Sequence, residues 1–208
     1  MRKPTARPSS ASEPILRVTA AQWGAWLADH HASTTGVRLL LSKQGKGART
    51  LTYAEALEVA LMWGWIDGQK WAHDDRSWLQ RFTPRRPRSA WSKINREKAE
   101  ALLRAGKMQP PGLREVERAR QDGRWDAAYD SARTSQVPDD LARALARSKA
   151  AAAFFETLDG ANRYAILYRL QTAKKPETRA ARLARFVAML ASGETLHPPR
   201  RKRAAPAR

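Results

Sequence analysis

Apolar positions recur along this chain with two different periods. From Thr19 onward Trp23, Trp26, Leu27 and His30 stand at i, i+3, i+4 and i+7, which predicts a helix capped by Thr19. The run "VRLLLS" (37–42) predicts a short strand, followed by a Gly- and Lys-rich turn, "KQGKGA". A second helix is expected over "LTYAEALEVALMWG": Thr52 and Glu55 form a capping box, and Gly64 is placed to end it. Next come "WIDGQKWA" and "RSWLQRFTP", two aromatic-rich stretches separated by "HDD", which predict a β-hairpin ended by Pro84 and Pro87.

Beyond Trp91 the period is helical almost to the end, with helices expected over 92–105, 111–121, 138–147, 148–158, 161–173 and 176–191. Gly106 and Gly123 stop the first two, and Pro138 and Pro176 fall where first-turn prolines belong. The expected fold is therefore α+β and mainly α. A small antiparallel sheet, the hairpin plus one strand, sits in the N-terminal half and packs with a helical C-terminal half. Residues 1–17 and 195–208, rich in Pro, Ser and Arg, are expected to be disordered basic tails around a single domain over 18–194.

Composition changes this picture mainly through charge. The 208 residues carry a net charge of +19. Of this, +3 belongs to residues 1–17 and +5 to 195–208, so +11 lies on the middle of the chain. Such an excess favours anionic partners: nucleic acid, an anionic membrane face or a phosphorylated ligand. A solvated Arg- and Ala-rich surface is the plainer account. The absence of cysteine excludes disulfides, thiolate nucleophiles and Cys-based zinc sites. The first residues contain no apolar signal-type segment, and no run is long enough to span a bilayer, so a cytoplasmic protein is expected.

Five of the eight tryptophans lie between Trp63 and Asn95, interleaved with seven Arg or Lys residues. Strict strand alternation puts Trp65, Asp67, Gln69 and Trp71 on one side of the first hairpin strand, and Leu79, Arg81 and Thr83 on one side of the second. One face would then pair Asp67 with Arg81 or Arg85, while Gly68 admits a close neighbour. Two readings fit. In one, the tryptophans are core wedges and the arginines stack on them as lids. In the other, the stretch forms an anion pocket. Arg81, Arg85 and Arg86 are its donors and Trp65 and Trp91 its walls. Thr83, Ser89, Ser92 and Asn95 are its directional polar groups, beside a helix N-terminus. A basic groove with stacking tryptophans would also suit single-stranded nucleic acid, although no nucleic-acid recognition motif is present.

Arg179 is a second candidate. It projects beside the apolar stripe Leu183, Phe186, Val187 and Leu190, in a first helical turn where a cation opposes the helix dipole. It is expected to reach a carboxylate, with Asp67 or Glu55 as possibilities, to hold a bound anion, or to extend past the core to water. No metal site and no cofactor is expected. His30 and His31 are adjacent and point apart on a helix, "HDD" suits a solvated turn, and no GxSxG, GxGxxG or P-loop pattern occurs.

The motifs "YAEALEVALMWGWIDG", "RFTPRR", "SAWSKIN", "GKMQPPG", "GRW" with Tyr129, and "ETRAARL" occur in this order. Together they resemble the YdeI/OmpD-associated, or bacteriocin-protection, family, from about Trp23 to Gly193. Its hallmark positions fall on Tyr53, Gly64, Trp65, Ile66, Asp67, Gly68, Arg81, Phe82, Pro84, Arg85, Ser89, Trp91, Ser92, Asn95, Gly112, Trp125, Thr178 and Arg179. The resemblance implies a stress or antimicrobial-resistance role, protection against bacteriocins and similar peptides, without a reaction or ligand to carry over. Many bacteriocins are cationic and would be repelled by a +19 chain, so an anionic ligand or partner is expected instead. Two alternatives stand beside this expectation: sequence-tolerant nucleic-acid binding through the basic surface and tails, and an enzyme using Asp67 as base on an anionic substrate.

Overall fold

The computed structural model describes residues 13–43 and 51–198. The chain divides into two compact units, 1–126 and 127–208.

The first unit holds strands β1 (Ile15–Leu16), β2 (Val37–Ser42), β3 (Trp65–Ala72) and β4 (Ser77–Pro84), and helices α1 (Ala20–His30), α2 (Tyr53–Met62), α3 (Lys93–Arg104) and α4 (Pro110–Gln121). The expected capping box of Thr52 with Glu55 forms, and the expected N-cap Thr19 makes a second one with Gln22. Gly64 ends α2 at a φ of 72°, a conformation open to glycine at little cost. The strand order is β1-β2-β4-β3. The hairpin and β2 are antiparallel as expected, but β1 adds a parallel pair to β2, so the sheet is mixed. β1 lies inside the stretch expected to be a disordered tail. Two apolar residues are enough to make it a strand, because Arg38 N donates to Pro14 O at 2.9 Å and Arg38 Nη2 to Glu13 O at 2.8 Å. The rest of that stretch, residues 1–12, and nearly all of the expected "KQGKGA" turn lie outside the described residues.

One face of the sheet forms the core of this unit. Val37, Leu39, Leu41, Trp65 and Phe82 are buried with Trp23 and Leu27 of α1 and Ala56, Leu57, Ala60 and Leu61 of α2. Trp23 is the hub. Its ring lies 6.0 Å from Trp65 and 5.9 Å from Phe82, and its Nε1 donates to Ala56 O at 3.2 Å. Where α4 crosses the end of α2, a Cβ on Gly112 would stand 2.1 Å from Met62 O, so only glycine permits this approach.

The second unit is helical: α5 (Asp139–Ala146), α6 (Lys149–Thr157), α7 (Gly160–Gln171) and α8 (Pro176–Ala191). Ser148 and Asp159 cap α6 and α7, accepting from Ala151 N and Asn162 N. Leu141, Leu145, Phe155, Ile166, Leu170, Phe186 and Leu190 form its core, with Leu183 and Val187 against it. The apolar stripe expected on α8 is therefore a core-facing one. Within the stretch expected to be a C-terminal tail, Leu196 packs on this core and His197 N donates to Asn162 Oδ1 at 2.8 Å, while residues 199–208 lie outside the described residues.

Candidate functional site

The register of the hairpin separates residues that strict alternation put together. Asp67 lies opposite Phe82 and Ile66 opposite Thr83, so Asp67 shares the face of Trp65 and Phe82, whereas Arg81 and Thr83 share the other face with Ile66. A register shift between Asp67 and Lys70 then pairs Lys70 with Gln80 and Trp71 with Leu79, which moves Trp71 to the face opposite Trp65. Asp67 and Arg81 therefore do not pair. Asp67 Oδ2 accepts from the Tyr53 hydroxyl at 2.9 Å. Arg81 takes the Glu13 carboxylate: Nε donates to its two oxygens at 3.0 and 2.7 Å, and Nη2 joins Oε1 as well. The Glu13 side chain is only 5% exposed, and its hydrogen bond raises the Arg81 pKa further. Gly68 faces the Arg81 carbonyl, and a Cβ there would meet it at an ordinary 3.8 Å, so no close approach depends on it. Trp65 belongs to the core on Trp23 rather than to a pocket wall.

The residues that do come together lie just beyond β4. Arg85 N donates to Gly64 O at 2.9 Å, which turns the chain out of the sheet. Arg86 N donates to Ser89 Oγ and Ser89 N to Arg86 O, both at 2.9 Å, closing a turn on which Arg86 is exposed. The Arg85 guanidinium folds back onto the segment it precedes. Nη1 donates to Ala90 O at 3.2 Å, and Cζ lies 3.5 Å from the centre of the Trp91 ring. Ser92 accepts from Asn95 N and so starts α3.

Arg124 was not among the residues expected from the sequence. It is buried, donates through Nε to both Asp122 oxygens at 2.8 Å, and through Nη1 to Ser89 O at 2.7 Å. Its neighbour Trp125 packs edge-on against Trp91 at 4.9 Å, and Arg96 Nη1 donates to Trp125 O at 3.3 Å. Three guanidinium groups and two indoles thus form one knot at the start of α3. The sequence signal for Arg124 was "GRW", in which the flanking tryptophan drew the attention.

Arg179 belongs to the second unit and is taken up there. Nε and Nη2 donate to the two Asp140 oxygens at 2.7 and 2.9 Å, and Nη1 to Leu170 O at 2.7 Å. Its partner is a carboxylate, as expected, but neither Asp67 nor Glu55. The Arg179 hydrogen bonds hold the Asp140 carboxyl below its ordinary value. In the same unit Tyr164 donates to Asp130 O at 2.9 Å, and burial pushes its hydroxyl up to about 12. An open cleft of about 480 Å³ lies along the end of α8, between Arg185, Met189 and Glu194.

His30 and His31 meet the carbonyls of Trp26 and Leu27, one turn back on α1, at 2.8 and 3.0 Å. Asp74 of "HDD" accepts from Arg76 N and Ser77 N and shapes the hairpin turn. Among the described residues no three His, Asp or Glu side chains gather as a metal site, and no helix is long and apolar enough to cross a membrane.

Residues 134–193, which include all four helices described in the second unit, match the family model described as bacteriocin-protection, YdeI or OmpD-associated. Over these residues the chain is similar to the YdeI/OmpD-associated family. Residues 16–115 match a different model, a domain of unknown function (DUF8412). The resemblance drawn from Trp23 onward therefore divides between two models. "ETRAARL" lies within the YdeI/OmpD-associated match, whereas "WGWIDG", "RFTPRR" and "SAWSKIN" lie within the other. No curated protein and no solved structure matches the chain significantly.

Proposed function

We propose that the protein acts in protection against bacteriocins, in the cytoplasm, by binding an anionic ligand or partner at the Arg85–Trp91 knot of its first unit. The match of residues 134–193 to the bacteriocin-protection, YdeI or OmpD-associated family supports the protective role. The single observation that supports the anionic partner is the Arg85 guanidinium seated 3.5 Å over Trp91, with Arg124 bound to the same short segment. Cations held on aromatic faces and backbone carbonyls stay charged and immobile, which favours an incoming anion without reorganisation. The cytoplasm is where phosphorylated small molecules and nucleic acids, the partners favoured by a charge of +19, are abundant.

Survival of cells challenged with a cationic bacteriocin tests this reading. Expression of the protein should raise survival, and Arg85→Lys or Trp91→Phe should remove most of the gain at unchanged protein level. Full protection by both folded variants would refute it.

The net charge of +19 supports a second reading, sequence-tolerant nucleic-acid binding. In a gel shift with single-stranded and duplex nucleic acid, that reading requires binding that falls steeply with salt and survives Trp91→Phe.

A further inference from the structure

We infer that the knot around Trp91 holds one phosphate-sized oxyanion, with the Trp91 indole N–H and Arg124 Nη2 as its donors. The inference rests on the anion-binding reading and narrows it from an anionic partner to a small oxyanion group.

Two buried donors carry it. Trp91 is 1% exposed and the Arg124 side chain 7%. Trp91 Nε1 and Arg124 Nη2 are both closed to solvent, and neither has a hydrogen-bond partner among the described residues. Folded proteins rarely leave such groups unpaired, because each loses its water without recompense. The two belong to one place. Arg124 Nη1 is tied to Ser89 O, two residues before Trp91, and Trp125 beside Arg124 packs on the Trp91 ring.

An indole N–H and a guanidinium can only donate, so whatever completes them must accept. Its size is limited by burial, since a polymer backbone lying on the surface does not reach groups this deep. Its charge follows from the surroundings. Arg85 stacks on Trp91, Arg96 is tied to Trp125 O, and α3, whose N-terminus carries the positive end of the helix dipole, begins two residues after Trp91. Asp122 already engages Arg124 through Nε and Ser89 O engages it through Nη1, which leaves Nη2 as its unclaimed donor. Several fixed cations and a helix N-terminus around two empty donors select an oxyanion over a neutral acceptor.

The test follows indole N–H signals of the full chain by ¹H–¹⁵N correlation, titrating inorganic phosphate against chloride at equal ionic strength. A terminal phosphomonoester (glycerol phosphate) and a single-stranded oligonucleotide form parallel arms. Trp91→Phe identifies the Trp91 signal by its loss. Phosphate or the phosphomonoester should shift that signal saturably and raise the unfolding midpoint by about 3 °C at saturation. A response to both, or to the phosphomonoester alone, tells a free ion from the end group of a metabolite. Arg124→Lys and Trp91→Phe should each lose the thermal shift, while Arg133→Ala, in the other unit, keeps it. If the oligonucleotide binds while the Trp91 signal stays still and phosphate does nothing, the small-oxyanion inference is overturned and nucleic-acid binding stands. If no anion moves the Trp91 signal and none binds elsewhere, the anion-binding reading falls with it. Because the titration is made on the unmodified chain, an unfolded variant does not blunt either outcome.

Discussion

Arg81 shows how much depends on the partner a side chain finds. In the sequence it is one of several arginines beside an acid. In the fold it closes over a buried Glu13 carboxylate 68 positions earlier. Truncating one member of a buried pair leaves the other charge without compensation, which costs about 3 kcal/mol or more. Arg81→Ala should therefore lower stability by that amount in urea unfolding, and replacing Arg81 and Glu13 together by apolar residues should restore much of it. In the second unit the Arg179–Asp140 pair is less enclosed, with side chains 31% and 29% exposed. Asp140→Asn should cost about 1–2 kcal/mol at neutral pH. The sign of the pH dependence follows from the lowered Asp140 pKa. The stabilisation is complete above the ordinary carboxylate value of 3.8 and is lost as pH falls through the lower folded value. Thermal melts between neutral and strongly acidic pH should show a fall in that acid range for the native chain, and a smaller one for Asp140→Asn.

At the scale of elements the chain was largely legible. Helix ends were visible because their signals are local: Thr19 and Thr52 with their capping partners, Gly64 and Gly106 at positive φ, and Pro176 in a first turn. What was not visible depends on distant contacts. β1 is too short to have a period and becomes a strand only beside β2. The two hairpin strands were recognised, but their face assignment was not. Two strands can be slid against each other, and the register puts Asp67 opposite Phe82, on the far side of the sheet from Arg81. The bulge then reverses the alternation before Trp71, and nothing in "WIDGQKWA" except Gly68 hints at it. Arg124 was missed for a similar reason: its contacts with Ser89 span 35 positions. The α2–α4 junction offers the sharpest test at this scale. With Met62 O standing 2.1 Å from where a Cβ would be, Gly112→Ala must push α4 away from α2. A loss of about 2–3 kcal/mol is expected by chemical denaturation, with the helix content by circular dichroism unchanged.

For the molecule as a whole, the aromatic–basic knot and the family match sit in different units. The YdeI/OmpD-associated match covers the helices of the second unit, whereas the aromatic–basic knot lies in the first. Because the proposed protection runs through capture at the knot, Trp91→Phe should lower both survival and the phosphate response, and the two assays should fail together. The parallel pairing of β1 with β2 has a practical consequence for anyone shortening this chain. A cut at Val18, the boundary suggested by composition, would take away Glu13 together with the strand that shields β2. "VRLLLS" would then become a bare apolar rim, and such rims recruit one another into oligomers. A chain begun at Val18 should therefore elute from size exclusion as larger, concentration-dependent species, while one begun a few residues before Glu13 should not.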